Sequence, residues 1–245
     1  MTKPFAILGL PTYSGWSRTD QLKWLAEELA SIHGWGRLLV MPVPHRNTPQ
    51  ARNQLADACL TLDVPLIMVD DDAVPAVGTI ENVCLMFYPT QHIRRADILG
   101  FPYLASNENP CVWDVDAKRY TEAQAATMTG LTRIGNIGTH TVAYHPSVFK
   151  RMSPPWFHYV YNDRGTQLEG GEDTVFHQKC HEAGLALWCD WDHWSGHWKG
   201  RTINKPELQT DEFPEALAAI AGRWMLNDEK GRAFLDGLVA QRNGR

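Results

Sequence analysis

The chain has 245 residues, 44% of them hydrophobic and 21% charged, and a formal net charge of −5 at pH 7. That size and mix suit one large α/β domain or two small ones with a substantial buried core, and they exclude an extended disordered chain. The acidic balance argues against a protein that coats nucleic acid nonspecifically, which needs a broad basic face, although a local groove remains compatible with it.

Phe5 to Leu10 (FAILGL) is a short apolar run ending at Pro11 and reads as a first buried strand, with a loop over Thr12 to Ser17. Asp20 to Ile32 places Leu22, Leu25, Ala26 and Leu29 at helical spacing, and Gly34 ends the pattern. Leu38 to Val43 is a second strand. Thr48-Pro49 opens a helix through Leu62, with Thr48 as N-cap and Pro49 at the first helical position. Val64 to Val69 is a third strand. Strand, helix, strand, helix, strand in the first seventy residues or so favours a parallel sheet with helices on its faces, which binds ligands outside the carboxyl ends of its strands.

Further along, Thr79 to Phe87 reads as a helix, Ala96 to Leu104 as extended, Val142 to Tyr144 as a strand, and Ser147 to Met152 as a helical turn. A helix over Thr174 to Ala183 stops at Gly184, and Leu185 to Cys189 leads as a strand into a Trp- and His-rich loop. Phe213 to Gln241 reads as two helical pieces broken near Asn227 to Gly231. No internal repeat or low-complexity stretch stands out. The expected organisation is one domain over residues 1–205 with a helical extension over 206–245.

The five cysteines, Cys59, Cys84, Cys111, Cys180 and Cys189, are odd in number and form no C-x-x-C pair, so they read as reduced thiols in a cytosolic setting. Met1 to Leu10 lacks the length of a secretory h-region with its cleavage site, and no run approaches the roughly 20 apolar residues of a membrane span. A soluble cytoplasmic protein is expected.

The chemistry concentrates where the third strand ends. Asp70, Asp71 and Asp72 follow its apolar run directly, and three adjacent carboxylates at a strand end repel one another unless a cation joins them. A solvated turn would also accommodate them. Hard oxygen ligands suit Mg2+ or Mn2+, whose remaining positions go to water and substrate phosphates.

The order of motifs then resembles the GT-A class of nucleotide-sugar glycosyltransferases, from about Phe5 to Trp198. The resemblance rests on Ala51-Arg52-Asn53, Asp70-Asp71-Asp72, Ile134-Gly135-Asn136-Ile137-Gly138-Thr139, Pro155-Trp156-Phe157, Gly171-Glu172-Asp173 and Gly196-His197. It implies a Rossmann-like, mixed and mostly parallel sheet flanked by helices, with a C-terminal helical tail. It further implies a D-x-D motif in which Asp70 meets the metal or donor ribose and Asp72 ligates Mn2+ or Mg2+. His197 would complete the coordination, with His193 as the alternative. Pro11, Thr12 and Tyr13 fall in the loop that receives the nucleotide, and Arg52, Asn53, Asp71 and Gly138 also belong to the donor side.

In Gly171-Glu172-Asp173 the resemblance makes Asp173, beside Glu172, the catalytic base of an inverting enzyme. Acidic residues that merely stabilise a helix N-terminus would look the same, and a retaining enzyme would leave Asp173 an orienting role. The implied reaction moves a sugar from a nucleoside-diphosphate donor, most often a UDP-sugar in proteins of this look, to a hydroxyl acceptor: a glycan, a protein, or hydroxymethylated bases of phage-type DNA. Arg94, Arg95, Lys199, Arg201 and Lys205 are the basic residues for a DNA groove, and the setting would be a bacterial or phage-infected cytoplasm. The rival readings are a nucleotidyltransferase, for which Leu10 to Gly15 lacks the Gly-rich basic signature, and a noncatalytic nucleotide-sugar-binding protein. His177 and His181, at i and i+4, could hold Zn2+ but lack the Glu of H-E-x-x-H. Trp188, Trp191, Trp194 and Trp198 suit either ligand stacking or packing.

Overall fold

The computed structural model describes residues 3–12, 19–32, 36–44, 46–88, 96–105 and 109–197. Residues Met1–Lys199 form one compact unit. The helical pieces expected over 213–241 lie outside the described residues, as do Tyr13, Trp198 and all five basic residues considered for a DNA groove.

The core of the fold is a seven-stranded sheet in the order β2-β1-β3-β9-β5-β12-β7. The first three are β1 (Ala6–Thr12), β2 (Leu38–Pro44) and β3 (Leu66–Val69), paired in parallel as the early alternation predicts. Helices α1 (Thr19–Ser31) and α2 (Thr48–Leu62) connect them. β9 (Thr141–Tyr144) then runs antiparallel between β3 and β5 (Ile98–Gly100). β12 (Leu187–Asp190) returns parallel to β5, and β7 (Leu131–Ile134) closes the edge antiparallel to β12. Five strands therefore share one direction and two oppose it.

Because successive side chains of a strand face opposite sides, Leu66, Met68, Val142 and Tyr144 enter one buried cluster. Leu55 and Cys59 of α2 join them there, with Phe149 of α5 (Pro146–Lys150) and Phe176 of α6 (Glu172–Glu182). Phe157 and Phe176 stack at 4.2 Å within it. On the other side α1 packs against α3 (Thr79–Phe87), burying Trp24, Leu25, Ile80 and Val83.

Short pairings shape the loops around the sheet ends: β4 (Ala73–Val74) with β13 (Gly196–His197), β6 (Val112–Trp113) with β8 (Asn136–Ile137), and β10 (Val160–Tyr161) with β11 (Leu168–Gly170). One capped turn, α4 (Glu122–Ala125), lies between β6 and β7. One expectation needs correction. The cap of α2 is Asn47, whose side chain accepts from the Gln50 N–H, so Thr48 already lies inside the helix. Within Gly135 to Thr139, Asn136 and Ile137 pair with β6.

Candidate metal and donor site

The Asp70 N–H donates to the carbonyl of His140, 2.9 Å away, so the carboxyl end of β3 and the start of antiparallel β9 lie side by side. Asp70 accepts from the Ala73 N–H, and the chain turns into β4, whose Ala73 faces His197 of β13. Three remote segments thus deliver Asp72, His140 and His197 to one point. Helix α1 braces the turn: Gln21 Nε2 donates to the carbonyls of Asp70 (2.8 Å) and Ala73 (3.3 Å), and the buried Glu28 carboxylate accepts from the N–H groups of Gly78, Thr79 and Ile80. Burial pushes the Glu28 carboxyl up in pKa, and those three N–H bonds oppose it.

One potential ligand atom from each of Asp72, His140 and His197 lies within 4.8 Å of the others. His197 Nδ1 is 2.8 Å from the Leu104 carbonyl, which can only accept, so Nδ1 donates there; Nε2 lies 3.1 Å from Asp72 Oδ2, where its lone pair would serve a cation shared with that oxygen. His140 is buried; its Nδ1 meets Ser195 Oγ at 3.3 Å, and Ser195 Oγ meets Thr141 Oγ1 at 2.9 Å. His140 Nε2 is a buried nitrogen without a hydrogen-bond partner, 3.5 Å from Asp72 Oδ1. Burial pushes the His140 imidazole down to about 4, against the pull of Asp72, which leaves the ring uncharged at neutral pH. Second-partner hydrogen bonds that aim a lone pair inward are the usual support of metal-binding histidines. The donor set fits a divalent cation.

Asp70 is not in this group. Both of its oxygens are 2.9 Å from Arg52 Nη2, while Arg52 Nη1 donates to Glu172 Oε1. Arg52, with 3% of its side chain exposed, is a buried clamp between the end of β3 and the start of α6. Burial pushes the Asp70 carboxyl up to about 6; Arg52 opposes the rise, and Asp72 and Asp71 add to it. With both carboxylate oxygens on Arg52 Nη2, the pair is held as an ion pair.

A cleft of about 190 Å3 opens beside these groups, lined by Pro11, Arg46, Thr48, Ala51, Asp70, Asp71 and Asp72. The structure therefore brings Pro11 and the acidic triplet together with Arg46, which the motifs did not single out. Thr12 ends β1 and is buried. Asn53 is committed elsewhere: Nδ2 donates to the carbonyls of Pro49 and Phe157, and Oδ1 accepts from the N–H groups of Trp156 and Phe157. That use of both amide ends fixes the Pro155-Trp156-Phe157 segment and leaves Asn53 no side-chain donor for a ligand. Gly138 makes its close approach to this chain, since a Cβ there would stand 2.1 Å from the Tyr103 hydroxyl.

Asp173 sits in the first turn of α6, partly buried, with Oδ1 accepting from the Thr174 N–H at 2.7 Å. His193 turns to Asp190, with Nδ1 2.7 Å from Oδ2, rather than to Asp72. His177 and His181 do not form a metal pair: His177 Nδ1 bonds Asn136 Oδ1 at 2.7 Å and His181 Nε2 bonds the Gly135 carbonyl at 2.5 Å. Trp191 is buried, edge-on to Tyr120, and serves packing. All five cysteines are buried and unpaired with one another. Among the described residues no helix is long and apolar enough to cross a membrane.

No described protein family and no curated protein matches the sequence. Among solved structures, the chain is similar to A197 from STIV, with a TM-score of 0.58 and 14% identity over 80% of this chain and 86% of that one. Weaker likenesses, each with a TM-score of 0.44, are to GalNAc-T7 in complex with UDP, GalNAc and Mn2+ (15% identity; 79% of this chain, 44% of that one) and to S. aureus TarS 1-349 (14% identity; 92% and 66%). At such identities a likeness speaks for architecture alone. A mixed seven-stranded sheet flanked by helices, with an acidic strand end at its carboxyl edge and this architectural match, gives the chain a GT-A-type fold.

Proposed function

We propose that the chain is a metal-dependent glycosyltransferase that moves a sugar from a nucleoside-diphosphate donor to a hydroxyl acceptor. The observation that carries the reading is the group of Asp72, His140 and His197, with its orphaned buried Nε2, at the rim of a cleft floored by Asp70 to Asp72. Asp72, His140 and His197 would hold the cation, which when bound would supply Lewis-acid stabilisation of charge on a departing diphosphate. Two imidazole nitrogens and one carboxylate form a softer set than the expected Asp70, Asp72 and His197, and favour Mn2+ over Mg2+.

The remaining roles belong to the chain itself. Arg52 holds Asp70 at the cleft floor and Glu172 at the start of α6, so the donor side and the first turn bearing Asp173 keep a set separation. Asp173 takes the proton from the acceptor hydroxyl in the inverting case, as a carboxylate general base. Pro11, Arg46 and Thr48 line the wall against which the nucleotide rests.

The test is release of nucleoside diphosphate from a panel of UDP- and GDP-sugars with Mn2+, Mg2+ or EDTA, offered glycans, proteins and hydroxymethylated DNA as acceptors. Metal-dependent release that is lost in Asp72→Ala supports the reading, and the acceptor that stimulates release identifies the acceptor class. In Asp173→Asn the donor should still bind while transfer stops; normal transfer by that variant would remove Asp173 as base. Donor binding without release under every condition would favour a noncatalytic nucleotide-sugar-binding protein.

A further inference from the structure

The two histidines of the metal group do not stand alone. Tyr103, just beyond β5, stacks on His140 with ring centroids 4.3 Å apart and planes 22° off parallel. It also meets His197 edge-on at 5.4 Å and 89°, and the two imidazoles meet each other at 4.7 Å and 70°. Three aromatic rings from three remote segments thus form one closed contact. The next residue along the chain, Leu104, accepts the Nδ1 proton of His197 through its carbonyl, so the same short segment fixes both the face of one imidazole and the tautomer of the other.

Gly138 completes the arrangement from the far side. A Cβ at Gly138 would lie 2.1 Å from the Tyr103 hydroxyl oxygen, and 2.8 and 2.9 Å from the two nearest ring carbons. Gly138 does not have a positive φ, so its backbone would accept another residue and only the contact forbids one. A phenol ring moves as one rigid body: pushing its hydroxyl end aside tilts the face that lies on His140.

We infer that Tyr103, seated in the space left by Gly138, is the positioning residue of the metal centre, holding the His140 and His197 rings in the one arrangement that aims both Nε2 atoms at Asp72. It acts through the ligands rather than as one, and the inference rests on the proposed metal site. Outer-shell supports of this kind typically change metal affinity by roughly 10- to 100-fold when removed. The ring matters more than the hydroxyl, because stacking and edge contacts are made by the ring.

The experiment is a Mn2+ binding titration on the full chain, read as free Mn2+ by electron paramagnetic resonance with no sugar donor present, and a thermal melt beside it to confirm folding. Tyr103→Ala should bind Mn2+ about 10- to 100-fold more weakly, while Tyr103→Phe stays close to the parent. Gly138→Ala should also weaken binding. In the Tyr103→Ala background, however, it should cost nothing further, because the clash has lost its partner; such non-additivity marks residues that act on each other. A purely structural role would shift the melting temperature and leave Mn2+ affinity of the folded chain alone. Affinity unchanged in Tyr103→Ala, equal losses in the Phe and Ala variants, or additive losses in the double variant would overturn the inference. Loss in Asp72→Ala alongside unchanged binding in Tyr103→Ala would spare the metal site and remove only Tyr103; no Mn2+ binding by the parent would remove both.

Discussion

The half of the site that carries Asp72, His140 and His197 and the β10–β11 hairpin that precedes α6 are built on opposite plans. Asp72, His140 and His197 come from three segments far apart in sequence, and their neighbours are spent on one another through Arg52, Gln21, Tyr103 and Ser195. The hairpin holds itself together locally, with Asn162 bonding Thr166 and Gln167, and leaves Tyr161 52% and Leu168 50% exposed. Long-range ties give a preorganised cradle for the proposed donor. A local, exposed hairpin next to Asp173 can change its surface without disturbing that cradle, which is how specificity is altered on a rigid scaffold.

The sharpest way to break the contrast is within the cradle. Asp72→Ala should abolish metal-dependent turnover, measured as diphosphate release, because it removes the only carboxylate of the ligand set. Arg52→Met comes next. It strands Asp70 and Glu172 without their buried cation and should cost about 3–5 kcal/mol in denaturant unfolding.

Acid should weaken the same half of the molecule. Burial pushes the His177 imidazole down to about 4 from an ordinary 6.5, against the pull of Asp173. Between those two pH values the unfolded chain binds a proton that the folded chain does not. Stability therefore falls as pH drops from about 6.5 to about 4, by roughly 3 kcal/mol for this one group. In His177→Asn, which keeps a donor for Asn136, a urea midpoint followed over that pH range should show a flatter decline. The smallest effect belongs to the hairpin: Tyr161→Ser should change stability by no more than about 0.5 kcal/mol and leave Mn2+ affinity untouched, while altering the apparent affinity for acceptor. A large loss of stability there would erase the distinction between the two regions.

Much of this was legible from residue order, and the exceptions share a cause. Strands β1 to β3 and helices α1 to α3 announce themselves by local apolar spacing, and Asp72 and His197 by the motifs in which they sit. His140 does not, because a histidine entering a strand of Thr141-Val142-Ala143-Tyr144 looks like any buried polar residue until β9 is known to lie beside β3. The β4–β13 and β6–β8 pairings are two residues long and come from contacts distant in sequence, so no periodicity betrays them. Asp70 and Asn53 carry ties that their motifs do not show: Asp70, at the cleft, also seats Arg52, and Asn53 seats the Trp156 and Phe157 backbone. Gly138, on the donor side by resemblance, makes a close approach to Tyr103 that its motif does not show.

In the proposed site Asp72, His140 and His197 together hold the cation that meets a donor diphosphate. Pulsed electron paramagnetic resonance of Mn2+ bound to the chain in the presence of UDP tests it most directly. The account predicts nitrogen couplings from two imidazoles, falling to one in either His140→Ala or His197→Ala, together with phosphorus couplings from UDP. A bound Mn2+ with oxygen ligands only, or nitrogen couplings unchanged in His140→Ala, would contradict it.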